Sequence, residues 1–150
     1  MLLESYEFNT SKPYKRYDFY SEGPKGRIRK VVLYSLLGQK EGIKYYNLGF
    51  GDYDKRKGKI NDLTVSNNDD RNKILTTVAM TAIEFTDHHR HCKIVVEGST
   101  PARTRLYQMG IAKYYHEISE VFDIQGLIEN KGLEAFQTGN NYLAFLASRK

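Results

Sequence analysis

The hydrophobic period of the chain changes at Asn67, and that change limits what it can fold into. Before it, short runs of aromatic and β-branched residues alternate with turn clusters. Such punctuation marks strands and hairpins. The runs are Tyr14 to Tyr20, Arg27 to Leu37, Ile43 to Phe50 and Lys59 to Ser66, separated by EGPKG, GQKEG and DKRKG. Period two places Lys44, Tyr46, Leu48 and Phe50 on one face of the third run, and Leu63 and Val65 on the buried side of the fourth. After Asn67, Ile74, Leu75, Val78, Ala82 and Phe85 recur at three and four residues, the signature of an amphipathic helix. Asn68 or Asp69 caps it, and it gives out near His88.

A second strand-to-helix passage follows. Ile94, Val95 and Val96 read as a buried strand and Gly98 ends it; Ser99 or Thr100 caps a helix with Pro101 in its first turn. That helix is expected to run to about Phe122, with Leu106, Ile111, Tyr115, Ile118 and Phe122 as its apolar stripe. Two further strands, Ile124 to Glu129 and Tyr142 to Ser148, complete the order ββββαβαββ. Strand runs meeting two helices, without strict βαβ alternation, predict an α+β fold with a mainly antiparallel sheet and two long helices on one face. The expected organisation is a single domain over residues 1–150, with 1–12 as a short arm.

Composition narrows the function classes. Hydrophobic residues at 40% and charged residues at 27% describe an ordinary globular chain. No apolar run approaches the roughly 20 residues of a membrane-spanning helix, and the start MLLESYEF lacks the pattern of a signal peptide. A cytoplasmic, membrane-independent protein is expected. The one cysteine, Cys92, rules out internal disulfides and multi-cysteine zinc sites. Net charge is +5, and between Lys12 and Lys30 seven basic residues face two acidic ones, so the first hairpin holds the whole excess. Such a patch suits a phosphate-bearing partner.

Two sites compete on residue chemistry. Arg27, Arg29 and Lys30 beside Tyr14, Tyr17 and Tyr20 resemble a single-stranded nucleic-acid platform, where cations track phosphates and rings stack on bases. The turn Gly98, Ser99, Thr100 with Arg103 and Arg105 offers an anion site at a helix N-terminus, for a nucleotide or phosphate ligand or an enzyme substrate. A protein-interaction module using Tyr142 to Ser148 as an edge strand is a further alternative. HHRHC has metal-ligand residue types at the wrong spacing, and GFGDYDKRKGKIND fails as a calcium loop at Arg56. Gly49 and Gly51 lead into no helix, so they make no dinucleotide fingerprint. Asp52, Asp62, Asp69 and His116 select no catalytic pair. No cofactor is called for.

The stretches YNLGFGDYD, SNNDDRNKILTTVA, EGSTPARTRLYQMGI and NYLAFL resemble a family of small uncharacterised bacterial proteins along nearly the whole chain. YDFYSEGPKGRIRKVV, Tyr17 to Val32, is also similar to the first hairpin of PUR-type domains, and ββββα is the order of PUR and Whirly-type single-strand binders. That resemblance implies Lys25, Arg27 and Arg29 as basic hairpin positions and Tyr17 and Phe19 as the aromatic strand. The continuation after His88 departs from it, since those domains repeat ββββα. The expected partners are single-stranded DNA or RNA, engaged through Tyr17, Phe19, Tyr20, Lys25, Arg27, Arg29 and Lys30, and a second copy of the chain.

Overall fold

The computed structural model describes residues 3–61 and 66–150, and the chain divides into two compact units. One unit comprises Leu2–Ser35 and Gly49–His88, the other Leu36–Leu48 and His89–Lys150. The class is α+β with a mostly antiparallel sheet and, among the described residues, three helices.

In the first unit β1 (Asn9–Thr10), β2 (Arg16–Gly23), the start of β3 (Gly26–Lys40) and the end of β4 (Ile43–Asp54) lie side by side in that order. β5 (Lys59–Asn61) pairs antiparallel with β4. The β2–β3 hairpin closes on a two-residue loop, with Gly23 opposite Gly26 and Gly26 at a φ of 86°, a left-handed conformation that glycine adopts without strain. Period two sends Tyr17, Phe19 and Ser21 to the covered face of β2 and leaves Arg16, Asp18, Tyr20 and Glu22 on the other. Helix α1 (Arg71–His88) buries Ile74, Val78, Ala82 and Phe85, as its apolar period requires. Phe85 stacks on Tyr34 at 4.1 Å, and the Tyr34 hydroxyl shares a 2.9 Å hydrogen bond with Thr81. Burying each such ring stabilises the unit by about 1.5–3 kcal/mol, and the hydroxyl is satisfied where it is buried.

The segment expected as an arm is tied down over its described residues. β1 pairs with β2, Tyr6 stacks on Phe19 at 5.9 Å, and the Tyr6 N–H donates to Thr77 at 2.8 Å. Of the expected fourth strand, Lys59–Asn61 is described and forms β5; Asp62, Leu63 and Val65 lie outside the described residues.

In the second unit the start of β4 is followed in the sheet by β6 (Cys92–Val96), β9 (Ala144–Arg149), β7 (Phe122–Ile128) and β8 (Gly132–Ala135). β4 and β6 are parallel, with Tyr46 opposite Ile94, and the chain between them contains the helix that a parallel crossover needs. The other pairings in this unit that involve β6 to β9 are antiparallel.

Two expectations are corrected in this unit. The second helix does not reach Phe122: α2 (Pro101–Lys113) stops at Tyr114, whose φ of −109° and ψ of 24° leave the helical region. A short α3 (Tyr115–Ser119) follows, Tyr115 stacks on Phe136 at 5.3 Å, and Phe122 opens β7. β8 had no counterpart in the expected order. It follows a turn in which Asn130 takes a φ of 64°. Of the two long helices expected, α1 is the long one.

Candidate functional site

The uncovered face of β2 and β3 is built by the hairpin register. Tyr20 lies opposite Arg29 and Glu22 opposite Arg27, so side chains from both strands interleave on one surface. Asp18 is the hub. It accepts hydrogen bonds from Arg16 Nε at 2.9 Å and from Arg29 Nε and Nη2 at 2.9 and 2.6 Å. Burial alone would raise the Asp18 carboxyl, but the bonds from Arg16 and Arg29 and their charges outweigh it and hold it below its ordinary value. The bond to Asp18 in turn raises Arg16. The Arg29 guanidinium lies 4.2 Å from the centre of the Tyr53 ring and Arg16 5.5 Å from it. Arg27 stacks on Tyr20 at 3.9 Å. A guanidinium held over a ring face can keep N–H groups for an anion, and the ring limits its motion.

Beside this row lies an open cleft of about 490 Å³ whose walls include Thr10, Lys12, Lys15, Arg16, Tyr20 and Arg29. Four of its lining residues are cationic and one, Asp18, is anionic. A second cleft of about 400 Å³ shares Asn9 and Tyr20 with the first.

A polar cluster holds the hairpin tip. The Tyr6 and Ser21 hydroxyls donate to Asp70 Oδ2 at 2.6 and 2.5 Å, and Asn68 donates to Ser21 Oγ and to the Gly26 carbonyl. Asn68 Oδ1 accepts from the Lys25 N–H at 2.7 Å. A side chain at Gly23 would place its Cβ 2.0 Å from the Asn68 carbonyl oxygen, so only glycine allows this approach. The turn that carries Lys25 is therefore fixed by the segment leading into α1.

The residues expected to bind nucleic acid separate by face. Lys25 and Arg27 are exposed, and Tyr20 and Arg29 are half-buried on the open face. Tyr17 and Phe19, at 0% and 1% exposure, are core residues with no ring face open to a base. Lys30, at 4%, sits opposite Phe19 and gives its ammonium to Asp52 and, at 2.7 Å, to Ser66 Oγ. An ammonium so enclosed needs such partners, and it cannot also reach a phosphate.

The Gly98 to Arg105 turn belongs to the second unit. Thr100 is the N-cap and accepts from the Arg103 N–H at 3.2 Å, while the Gly98 N–H donates to Thr104 Oγ1 at 2.9 Å. A Cβ at Gly98 would lie 2.4 Å from the Thr104 nitrogen. These two N–H groups are satisfied internally. Arg105 is exposed and Arg103 half-buried.

Elsewhere, His88 stacks on Tyr14 at 3.7 Å and lies 3.4 Å from Glu84. The buried Cys92 thiol, pushed up by burial, donates to the His89 carbonyl. No helix among the described residues is long and apolar enough to cross a membrane.

Sequence reasoning missed Tyr53 and the pairing role of Asp18. Tyr53 lay in a stretch weighed as a calcium loop, a dinucleotide fingerprint and a source of catalytic carboxylates, yet Asp52 and Tyr53 are strand neighbours that point to opposite faces, one to Lys30 and one to Arg29. Arg16, Asp18 and Tyr20 at period two were the available signal.

Fold and site together define an α+β protein that presents a cationic, tyrosine-backed strand pair. The chain belongs to a family of unknown function, DUF6934, which it matches over residues 2–150. No curated protein and no solved structure matches it.

Proposed function

We propose that the protein binds single-stranded nucleic acid along the open face of β2 and β3. The observation that carries this reading is the cleft beside Tyr20, where Lys12, Lys15, Arg16 and Arg29 meet a single carboxylate. Cations in a row along a groove track a phosphate backbone, and the rings beside them accept bases without regard to sequence. Arg27 on Tyr20 and Arg29 on Tyr53 supply the cation and ring together. The similarity of Tyr17 to Val32 to a PUR hairpin supports the same surface, with the buried Tyr17, Phe19 and Lys30 left as its scaffold.

The test is fluorescence anisotropy of a labelled short single strand at low ionic strength. Wild-type protein is expected to bind, and Lys12→Ala with Arg27→Ala to weaken binding about tenfold or more through lost phosphate contacts. Both side chains are exposed, so their loss should leave the fold intact. Absence of binding at low salt, or unchanged binding by the double variant, refutes the assignment.

A further inference from the structure

We infer that the basic cleft binds the end of a strand: the group it takes is a terminal phosphate, a phosphomonoester, in preference to an internal phosphodiester. The inference rests on the nucleic-acid reading above and names the group recognised in its first cleft. The charge of this face is concentrated there. Lys12, Lys15, Arg16 and Arg29 are opposed by Asp18 alone, which leaves three positive charges around a space of about 490 Å³. In the second cleft Arg27 and Lys73 are matched by Glu7 and Glu22, and Lys73 is further paired with Glu4 at 3.2 Å. A polynucleotide carries one negative charge per nucleotide, so a uniform strand would set one charge against the excess and the next against a neutral lining. A phosphomonoester brings about 1.5–2 negative charges and three acceptor oxygens to one place. That distribution fits the cleft.

The cleft is held in shape by the protein's own contacts. Asp18 receives Arg16 and Arg29 through Nε and Nη2 of each, so both guanidinium groups keep Nη1 outside the pairing. Planar donors fixed in this way match phosphate oxygens without a further loss of side-chain freedom. The wall that carries Lys12 and Lys15 is anchored as well. The Tyr14 N–H donates to the Ser11 carbonyl at 2.8 Å, and the Tyr14 ring stacks on His88. Thr10 Oγ1 donates to the Arg16 carbonyl at 2.8 Å and ties β1 to β2 beside the site. Tyr20 borders both clefts, so a strand whose end sits in the first can leave across that ring into the second.

The test uses one short thymine strand, prepared with hydroxyl groups at both ends, with a 5′-phosphate or with a 3′-phosphate, and compared by competition anisotropy at one fixed low salt. Phosphate at one of the two ends is expected to tighten binding about tenfold, the scale of one added hydrogen bond to a charged group. A hydroxyl-ended strand two nucleotides longer adds the same charge as phosphodiester and is expected to gain twofold at most. Lys12→Ala with Arg16→Ala, both exposed, should remove the gain. Equal binding of all three strands, an equal gain at both ends, or a gain matched by the longer strand overturns the terminal site and leaves the proposed function standing. A gain that survives the double variant overturns its assignment to this cleft. Binding of no strand at low salt refutes the nucleic-acid reading itself. The comparison of strands uses wild-type protein, so it does not depend on how a variant folds.

Discussion

Asp18 holds two guanidinium groups in place and at the same time lowers the charge they offer to a ligand. Asp18→Asn is expected to cost about 1–2 kcal/mol of stability, the scale of a charge-assisted hydrogen-bond pair that is partly solvent-screened. It should also tighten single-strand binding by several-fold. The pH dependence follows from the direction of the shift. The folded carboxyl lies below its unfolded value, so its contribution is fully present above the unfolded pKa of about 3.9 and is lost as pH falls through the folded value. The stability gap between wild type and Asp18→Asn in urea melts should therefore be constant near neutrality and close in acid. A gap that widens in acid would contradict the pairing.

Lys30 makes the opposite case. Its ammonium is enclosed with Asp52, so Lys30→Met leaves a carboxylate with 16% exposure unpaired, at an expected cost of about 3–5 kcal/mol. Lys30→Met with Asp52→Leu should recover most of that loss in the same melts. Failure of the second change to rescue would mean that the lysine's role is not pairing.

At the scale of elements, the hairpin depends on a close backbone approach. Gly23→Ala would drive a methyl into the Asn68 carbonyl and is expected to cost about 1–3 kcal/mol, as overpacking does. Hydrogen exchange at the Lys25 amide, which Asn68 holds, should accelerate with it. Unchanged protection there would show that the turn is not anchored by Asn68.

What was legible in the residues follows from the same local physics. The hairpin and α1 were readable because period and turn chemistry agree over long stretches: PK between two glycines, and Ile74, Val78, Ala82 and Phe85 on one stripe. The break at Tyr114 was hidden because the apolar stripe runs through Tyr115 and Ile118 without interruption. β8 was hidden because Gly132–Ala135 is a short, mostly exposed strand without clear alternation. The faces of β2 were ambiguous for a specific reason. Tyr17 and Phe19 on one side and Tyr20 on the other are all aromatic, so composition could not say which side meets the core. Lys30 reads as a surface cation until its partner Asp52, contributed by β4, is in place.

For the molecule as a whole, the charge excess found between Lys12 and Lys30 forms a cationic surface on the first unit only where the side chains face outward. Lys12, Lys15, Arg16, Arg27 and Arg29 do so or line its clefts, and Lys30 does not. The most direct test is the salt dependence of single-strand binding. The slope of log K against log salt is expected near −2 to −3, about −0.7 for each phosphate contact. Lys12→Ala with Lys15→Ala should flatten it by about 1.4. No binding at low salt, or the same slope in wild type and variant, would contradict the assignment of this face.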